Sequence, residues 1–186
     1  MNTKIIMVAG ISGVGKTTLI KSAQSSCKFQ HISAGSIIQN QKLLAEGETK
    51  RDVLRLGDIS DNQLLLVEGF WKAKDATQDI VVLDGHTVID TPDGLVPISS
   101  SVFVALEVSL FVFVKGEPEQ ILAQREADLS RNRPQLDLED IRRHQVEALK
   151  ATLGLALKLS VPLEVICSGD TKTFTRLLAS GNKMIE

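Results

Sequence analysis

At 186 residues with 43% apolar content, the chain has the size at which one compact domain buries most of the surface its unfolded form exposes, so one core is expected. Its 21 basic and 23 acidic side chains leave a formal charge of -2, which excludes a global positive field for a nucleic-acid backbone and makes any anion site local. The most apolar stretch, Val102 to Val114, is interrupted by Glu107 and Ser109 and falls short of the about 20 apolar residues that cross a bilayer; the two cysteines, Cys27 and Cys167, lack metal-ligand spacing, so a cytoplasmic protein with no membrane partner is expected.

The opening MNTKIIMVAG carries one lysine before a short apolar run that enters a glycine-rich turn, with no room for a signal-peptide core. Ile5 to Ala9 therefore reads as a first strand of the kind buried on both faces of a parallel sheet. Lys16 to Ser26 follows as a helix with Leu19 and Ile20 apolar. Phe29 to Ser33 reads as a brief second strand, and the spacing of Ile37, Ile38, Leu43 and Leu44 predicts a helix ending at Gly47. Helical pieces over Asp52 to Leu56 and Asp61 to Lys74 lead to a strand at Ile80 to Leu83.

Thr91-Pro92-Asp93-Gly94 is turn chemistry, because proline presets φ and glycine accepts a positive one, and the region is expected to be a loop. Glu107 to Val114 is the most strand-like run in the chain. Pro118 opens a helix through Leu129, Ser130 to Gln135 is an arginine-rich connection, and Leu138 to Ser160 is a long helix stopped at Pro162. Leu163 to Cys167 makes a last strand before a helix capped by Asp170 or Thr171. Strands alternating with helices predict an α/β fold, a parallel sheet covered on both faces, and no linker or repeat divides residues 1–186 into two units.

Gly10-Ile11-Ser12-Gly13-Val14-Gly15-Lys16-Thr17 fits G-x-x-x-x-G-K-[ST] and lies between a predicted strand and a predicted helix. The glycines let backbone N–H groups face inward while the following helix directs its positive end to the same place, a cradle for phosphate oxygens. Lys16 reaches β- and γ-phosphates as a point charge, and the Thr17 hydroxyl suits Mg²⁺ bridging them. Thr18 completes the stretch. ATP and Mg²⁺ are the expected ligands.

Four stretches, VAGISGVGKTT, RDVLRLGDISDNQ, LDGHTVIDTPDGLVP and ILAQREADLSRNR continuing to EDIRRHQ, resemble the archaeal-type adenylate kinases, a short branch of the P-loop nucleoside monophosphate kinases, over most of the chain. The resemblance implies a three-layer P-loop NTPase fold with a five-stranded parallel sheet. It implies conversion of ATP and AMP to two ADP with Mg²⁺, and often a homo-oligomer. It also implies an acceptor-binding segment over about 33–79 and a lid over about 125–136.

Asp84 directly follows the third strand, where a carboxylate closes the Mg²⁺ site by accepting from metal-bound water; the alternative is a turn or cap aspartate. His86 matches a histidine of the resembling family near phosphate, against a purely structural role. Arg125, Arg131 and Arg133 are candidate catalytic clamps for charge developing on a transferring phosphoryl group, or a solvated basic turn. Pro134 stands where the resembling enzymes usually carry an acidic residue. Arg51 and Arg55, four apart, share a helix face that grips a monophosphate or pairs with Asp52 and Asp58. By resemblance, Ser33, Gly35 and Ser36 sit at the acceptor's base or ribose, and Ser168, Gly169 and Asp170 lie under the adenine of ATP. Phe103, Phe111, Phe113 and Trp71 read as packing.

The leading expectation is transfer of the γ-phosphate to a nucleoside monophosphate, AMP above others. A kinase for another monophosphate or a small metabolite alcohol is the sister reading. A nucleotide-gated ATPase or switch is disfavoured, since no Asp-Glu pair follows the third strand to polarise water.

Overall fold

The computed structural model describes residues 3–46, 59–91, 94–128 and 135–180. The strands are β1 (Lys4–Ala9), β2 (Gln30–Ser33), β3 (Ile80–Asp84), β4 (Val88–Thr91), β5 (Gly94–Pro97), β6 (Val108–Lys115) and β7 (Leu163–Cys167). The helices are α1 (Lys16–Gln24), α2 (Ala34–Glu46), α3 (Ile59–Ala73), α4 (Ser100–Ala105), α5 (Pro118–Ala127), α6 (Leu138–Leu159) and α7 (Thr171–Ala179).

Five strands form a parallel sheet in the order β2-β3-β1-β6-β7. The three central strands are covered on both faces: every residue of β3 is buried, as are Ile5 to Ala9 of β1 and the run Leu110 to Val114 of β6. Their long apolar runs follow from that double burial, since an alternating strand would place polar residues under a helix. Phe103 and Phe111 meet edge-on at 5.4 Å within this core, and Phe113 is buried beside them, as packing residues should be. Trp71 is part exposed: it stacks edge-on against Phe70 and its Nε1 donates to Ala105 O at 2.9 Å, tying α3 to α4.

Two segments differ from expectation. The stretch around Thr91 to Gly94 is the end of an antiparallel hairpin, with Thr91 paired to Gly94 and Val88 to Pro97, where a loop was expected. Pro92 and Asp93, which carry the turn chemistry, lie outside the described residues, and strands of four residues fell below what the pattern reveals. Ser100–Ala105 is a helix that apolar, β-branched composition had hidden, started by Ser99, whose side chain accepts from Ser101 N. The helix predicted over Asp52 to Leu56 lies outside the described residues, as does most of the Ser130 to Gln135 connection.

The long helix α6 begins with a reciprocal cap in which Asp137 accepts from Asp140 N at 2.8 Å and the Asp140 carboxylate accepts from Asp137 N. It ends where Ser160 turns left-handed at φ 55° ahead of Pro162. Asp170 caps α7, accepting from Thr173 N at 3.0 Å, which decides between the two expected caps.

Candidate functional site

Three strand ends create the site. In the ladder, Asp84 pairs with Val8 on one side and Ser33 on the other, so β1, β3 and β2 finish together at the carboxyl edge of the sheet, where open α/β sheets bind ligands. The loop after β1 and the turns after β2 and β3 therefore converge.

From Ala9 the chain runs through Gly10 to Gly15 and enters α1, whose first-turn N–H groups face the loop. Gly13 has φ 91°, and a Cβ there would stand 2.7 Å from Arg125 Cγ. Glycine is needed twice over: for the backbone conformation, and for the close passage of Arg125, whose Nη1 donates to Ser12 O at 3.4 Å. Lys16 is buried, and its Nζ donates to Gly10 O at 2.8 Å and to Ile11 O at 3.1 Å. A buried ammonium is retained only with such partners, and here they hold it over the loop that wraps phosphate.

The Thr17 hydroxyl donates to Asp84 Oδ2 at 2.9 Å. Burial opposes ionisation of the Asp84 carboxyl. His31, whose Nε2 stands 3.9 Å away, the Lys16 charge, the Thr17 hydrogen bond and the His86 charge outweigh it and hold the carboxyl below its ordinary range. A hydroxyl and an ionised carboxylate side by side are hard oxygen donors.

A cavity of about 380 Å³ opens over these groups. The loop and α1 contribute Ser12, Gly13, Gly15, Lys16, Thr17 and Thr18, and the strand ends contribute Ser33, Gly35, Asp84 and His86. Helices α3, α4 and α6 add an apolar wall including Leu66, Val102, Phe103 and Leu106, broken by Asn62, Gln63 and His144. From α5 come Gln124 and Arg125, with Asp128 just beyond its end.

Half of the sequence-derived candidates thus gather in one space, and the others either do not line it or lie outside the described residues. Gly10, Ile11 and Val14 shape the loop but do not line the cavity, and Ser36 is exposed on α2 outside it. Ser168 touches the loop from the turn after β7, its hydroxyl donating to Val14 O at 2.6 Å, while Gly169 follows and Asp170 is engaged as the α7 cap. Arg51, Arg55, Arg131, Arg133 and Pro134 lie outside the described residues.

Asn62, Gln63, Gln124 and His144 line the cavity without having been singled out, and His31 stands next to Asp84. Asn62 and His144 are buried polar residues on helix faces that are otherwise apolar, and a polar residue at a core position of the 3.6 period is the one signal that marks them. Nothing in the sequence marks His31.

Comparison with known proteins agrees with this architecture. The AAA domain family model matches residues 9–142. The chain is 28% identical over 172 residues to the adenylate kinase of Pyrococcus abyssi, covering 90% of this chain and 88% of that protein. It is 27% identical over 180 residues to the adenylate kinase of Methanocaldococcus jannaschii, covering 91% and 92% respectively. Among solved structures, shikimate kinase from Bacteroides thetaiotaomicron shares the fold, with a TM-score of 0.59 at 13% identity over 97% of this chain and 99% of that one. The resemblance to archaeal adenylate kinases carried by four sequence stretches therefore extends along the chain, and with the family model beginning at the phosphate loop and spanning most of its length, the chain belongs to the AAA domain family.

Proposed function

We propose that this chain is a nucleoside monophosphate kinase that passes the γ-phosphoryl group of ATP to AMP, giving two ADP. One observation carries the reading: a single cavity joins Lys16 and Thr17 of the phosphate loop to an apolar recess edged by Asn62, Gln63 and His144. A hydrolase needs only the first part, whereas a transferase needs room for a second flat, partly polar substrate beside the phosphates. The similarity to archaeal proteins named adenylate kinase points the same way.

In this reading the loop amides, the α1 N-terminus and Lys16 bind the β- and γ-phosphates of ATP. The Thr17 hydroxyl and the Asp84 carboxylate, 2.9 Å apart with the carboxylate held ionised, fit a magnesium ion in both donor type and charge. Thr17 would ligate it and Asp84 would accept from its water. Bound Mg²⁺ neutralises phosphate charge. Ser33 and Gly35 border the acceptor nucleoside, Arg51 and Arg55 hold its phosphate, and His86 donates to a phosphate oxygen. Arg125, with Arg131 and Arg133, clamps charge on the transferring group and excludes water, within a lid over about 125–136. Ser168, Gly169 and Asp170 border the adenine of ATP. An acceptor phosphate is already nucleophilic, so orientation supplies most of the rate and no strong general base is required. The domain works in the cytoplasm; no described helix is long and apolar enough to cross a membrane.

An acceptor screen tests the proposal. Enzyme, ATP and Mg²⁺ are incubated with each nucleoside monophosphate, and ADP is measured by ³¹P NMR. The reading expects ADP to form at a rate set by AMP, at two ADP per AMP consumed. ADP with inorganic phosphate and no acceptor dependence would refute it.

A further inference from the structure

The helix that brings Gln124 and Arg125 to the cavity is thinly anchored. Ile121 is its one buried residue, and its N-cap residue Glu117 supplies no side-chain cap. Beyond Ile121 it is held by packing on α6, including the Arg142 to Glu119 ion pair at 3.0 Å, and by the residues that join it to the sheet. The last rung of the sheet at that corner is Lys115, which pairs with Cys167 and whose carbonyl accepts from Ser168 N at 2.7 Å. The next residue, Gly116, is beyond the ladder, yet both of its backbone polar groups are satisfied by one side chain. Gly116 N–H donates to Gln145 Oε1 at 2.8 Å, and Gly116 O accepts from Gln145 Nε2 at 3.0 Å.

A primary amide that donates and accepts at once reproduces a strand's edge, so Gln145 extends the sheet by one rung using a side chain. Gly116 is also tightly seated. A Cβ there would come within 3.2 Å of Val14 Cγ2 and 3.3 Å of Ile121, so the pivot of α5 bears directly on the phosphate loop. Gln145 does not line the cavity, although its neighbour His144 does.

We propose that Gln145 is a positioning residue for phosphoryl transfer: by pinning Gly116 it fixes the angle at which α5 leaves the sheet, and so the placement of Arg125 across Gly13. The proposal deepens the kinase reading and rests on it for the part that concerns turnover. Its structural part stands without it.

The test compares wild type with Gln145→Leu, which keeps the size but can neither donate nor accept, and with Gln145→Glu, which keeps the acceptor for Gly116 N–H and loses the donor to Gly116 O. Amide hydrogen exchange in the ligand-free protein, ATP affinity and kcat are measured on all three. In Gln145→Leu the Gly116 and early α5 amides should exchange about tenfold faster, as expected for one lost hydrogen bond, while amides of β1, β3 and β6 keep their rates. Turnover should fall by about tenfold or more with ATP affinity changed by less than about twofold, the pattern of misplaced rather than missing contacts. Gln145→Glu should retain protection at Gly116 and lie between the other two in kcat. Unchanged exchange at Gly116 in Gln145→Leu would overturn the proposal. So would exposure spreading through the central strands, which would make Gln145 a residue of the fold, or altered exchange with undiminished kcat. If wild type transfers nothing to any acceptor while Gln145→Leu still loosens Gly116 alone, the kinase reading fails and the pivot survives.

Discussion

Gly13→Ala separates backbone strain from the seating of Arg125. At φ 91° an alanine pays the left-handed cost of about 1–2 kcal/mol. Its Cβ would also lie 2.7 Å from Arg125 Cγ and 3.4 Å from Cδ. The Cγ sits near the root of the side chain, so relief requires a rotamer change of about 0.5–1.5 kcal/mol or withdrawal of Arg125 from the loop. The sum is about 1.5–3.5 kcal/mol, a fall in Tm of about 3–14 °C for a chain of this length. Gly169→Ala is the control: φ is 82° but nothing stands within 4 Å of its Cβ position, so strain alone should lower Tm by about 2–8 °C. In an Arg125→Ala background the penalty at Gly13 should drop to that of Gly169, leaving a coupling of about 0.5–1.5 kcal/mol in a denaturation double-mutant cycle. Additive single and double mutants would refute the contact as the reason Gly13 is glycine.

Arg131→Ala or Arg133→Ala should lower kcat by roughly 10³-fold with ATP affinity retained, in the manner of an arginine finger; near-normal turnover would return both to a solvated turn. Replacing Arg51 or Arg55 should raise the KM for the monophosphate and leave that for ATP alone, and steady-state kinetics showing neither change would remove them from the acceptor site. The Asp84 carboxyl, held below its ordinary range, contributes stability that is present above the unfolded value of about 4 and lost as pH falls through the lower folded value. The Tm gap between wild type and Asp84→Asn should therefore be full near neutrality and close below about pH 4; a gap that grows with acid would show the carboxyl is not stabilised as an anion.

The parallel sheet was readable because burial on both faces leaves a long apolar run bounded by glycine or polar residues. Ile5 to Ala9 and Ile80 to Leu83 each matched the observed strand to within one residue. The phosphate loop was readable because its chemistry lies in eight consecutive positions. The β4–β5 hairpin and α4 were not, since strands of four residues and a helix of six rich in valine and serine carry too little periodicity to overrule local composition. The apolar side of the cavity was read only in part. Asn62 and His144 come from two helices far apart in the chain, and their convergence is a property of tertiary packing. Asp84 lay between these cases: its position after a buried strand suggested it, and its 2.9 Å bond to Thr17 shows it beside the loop.

A bisubstrate analogue, two adenosines joined through five phosphates, asks directly whether the loop and the recess hold two nucleotides at once. Calorimetric titration should find it bound at least about a hundredfold more tightly than ATP, since linking two ligands spares one association cost, and Lys16→Ala should abolish that gain. Binding no tighter than ATP, or equally tight to Lys16→Ala, would contradict a phosphate loop and an acceptor recess acting as one site.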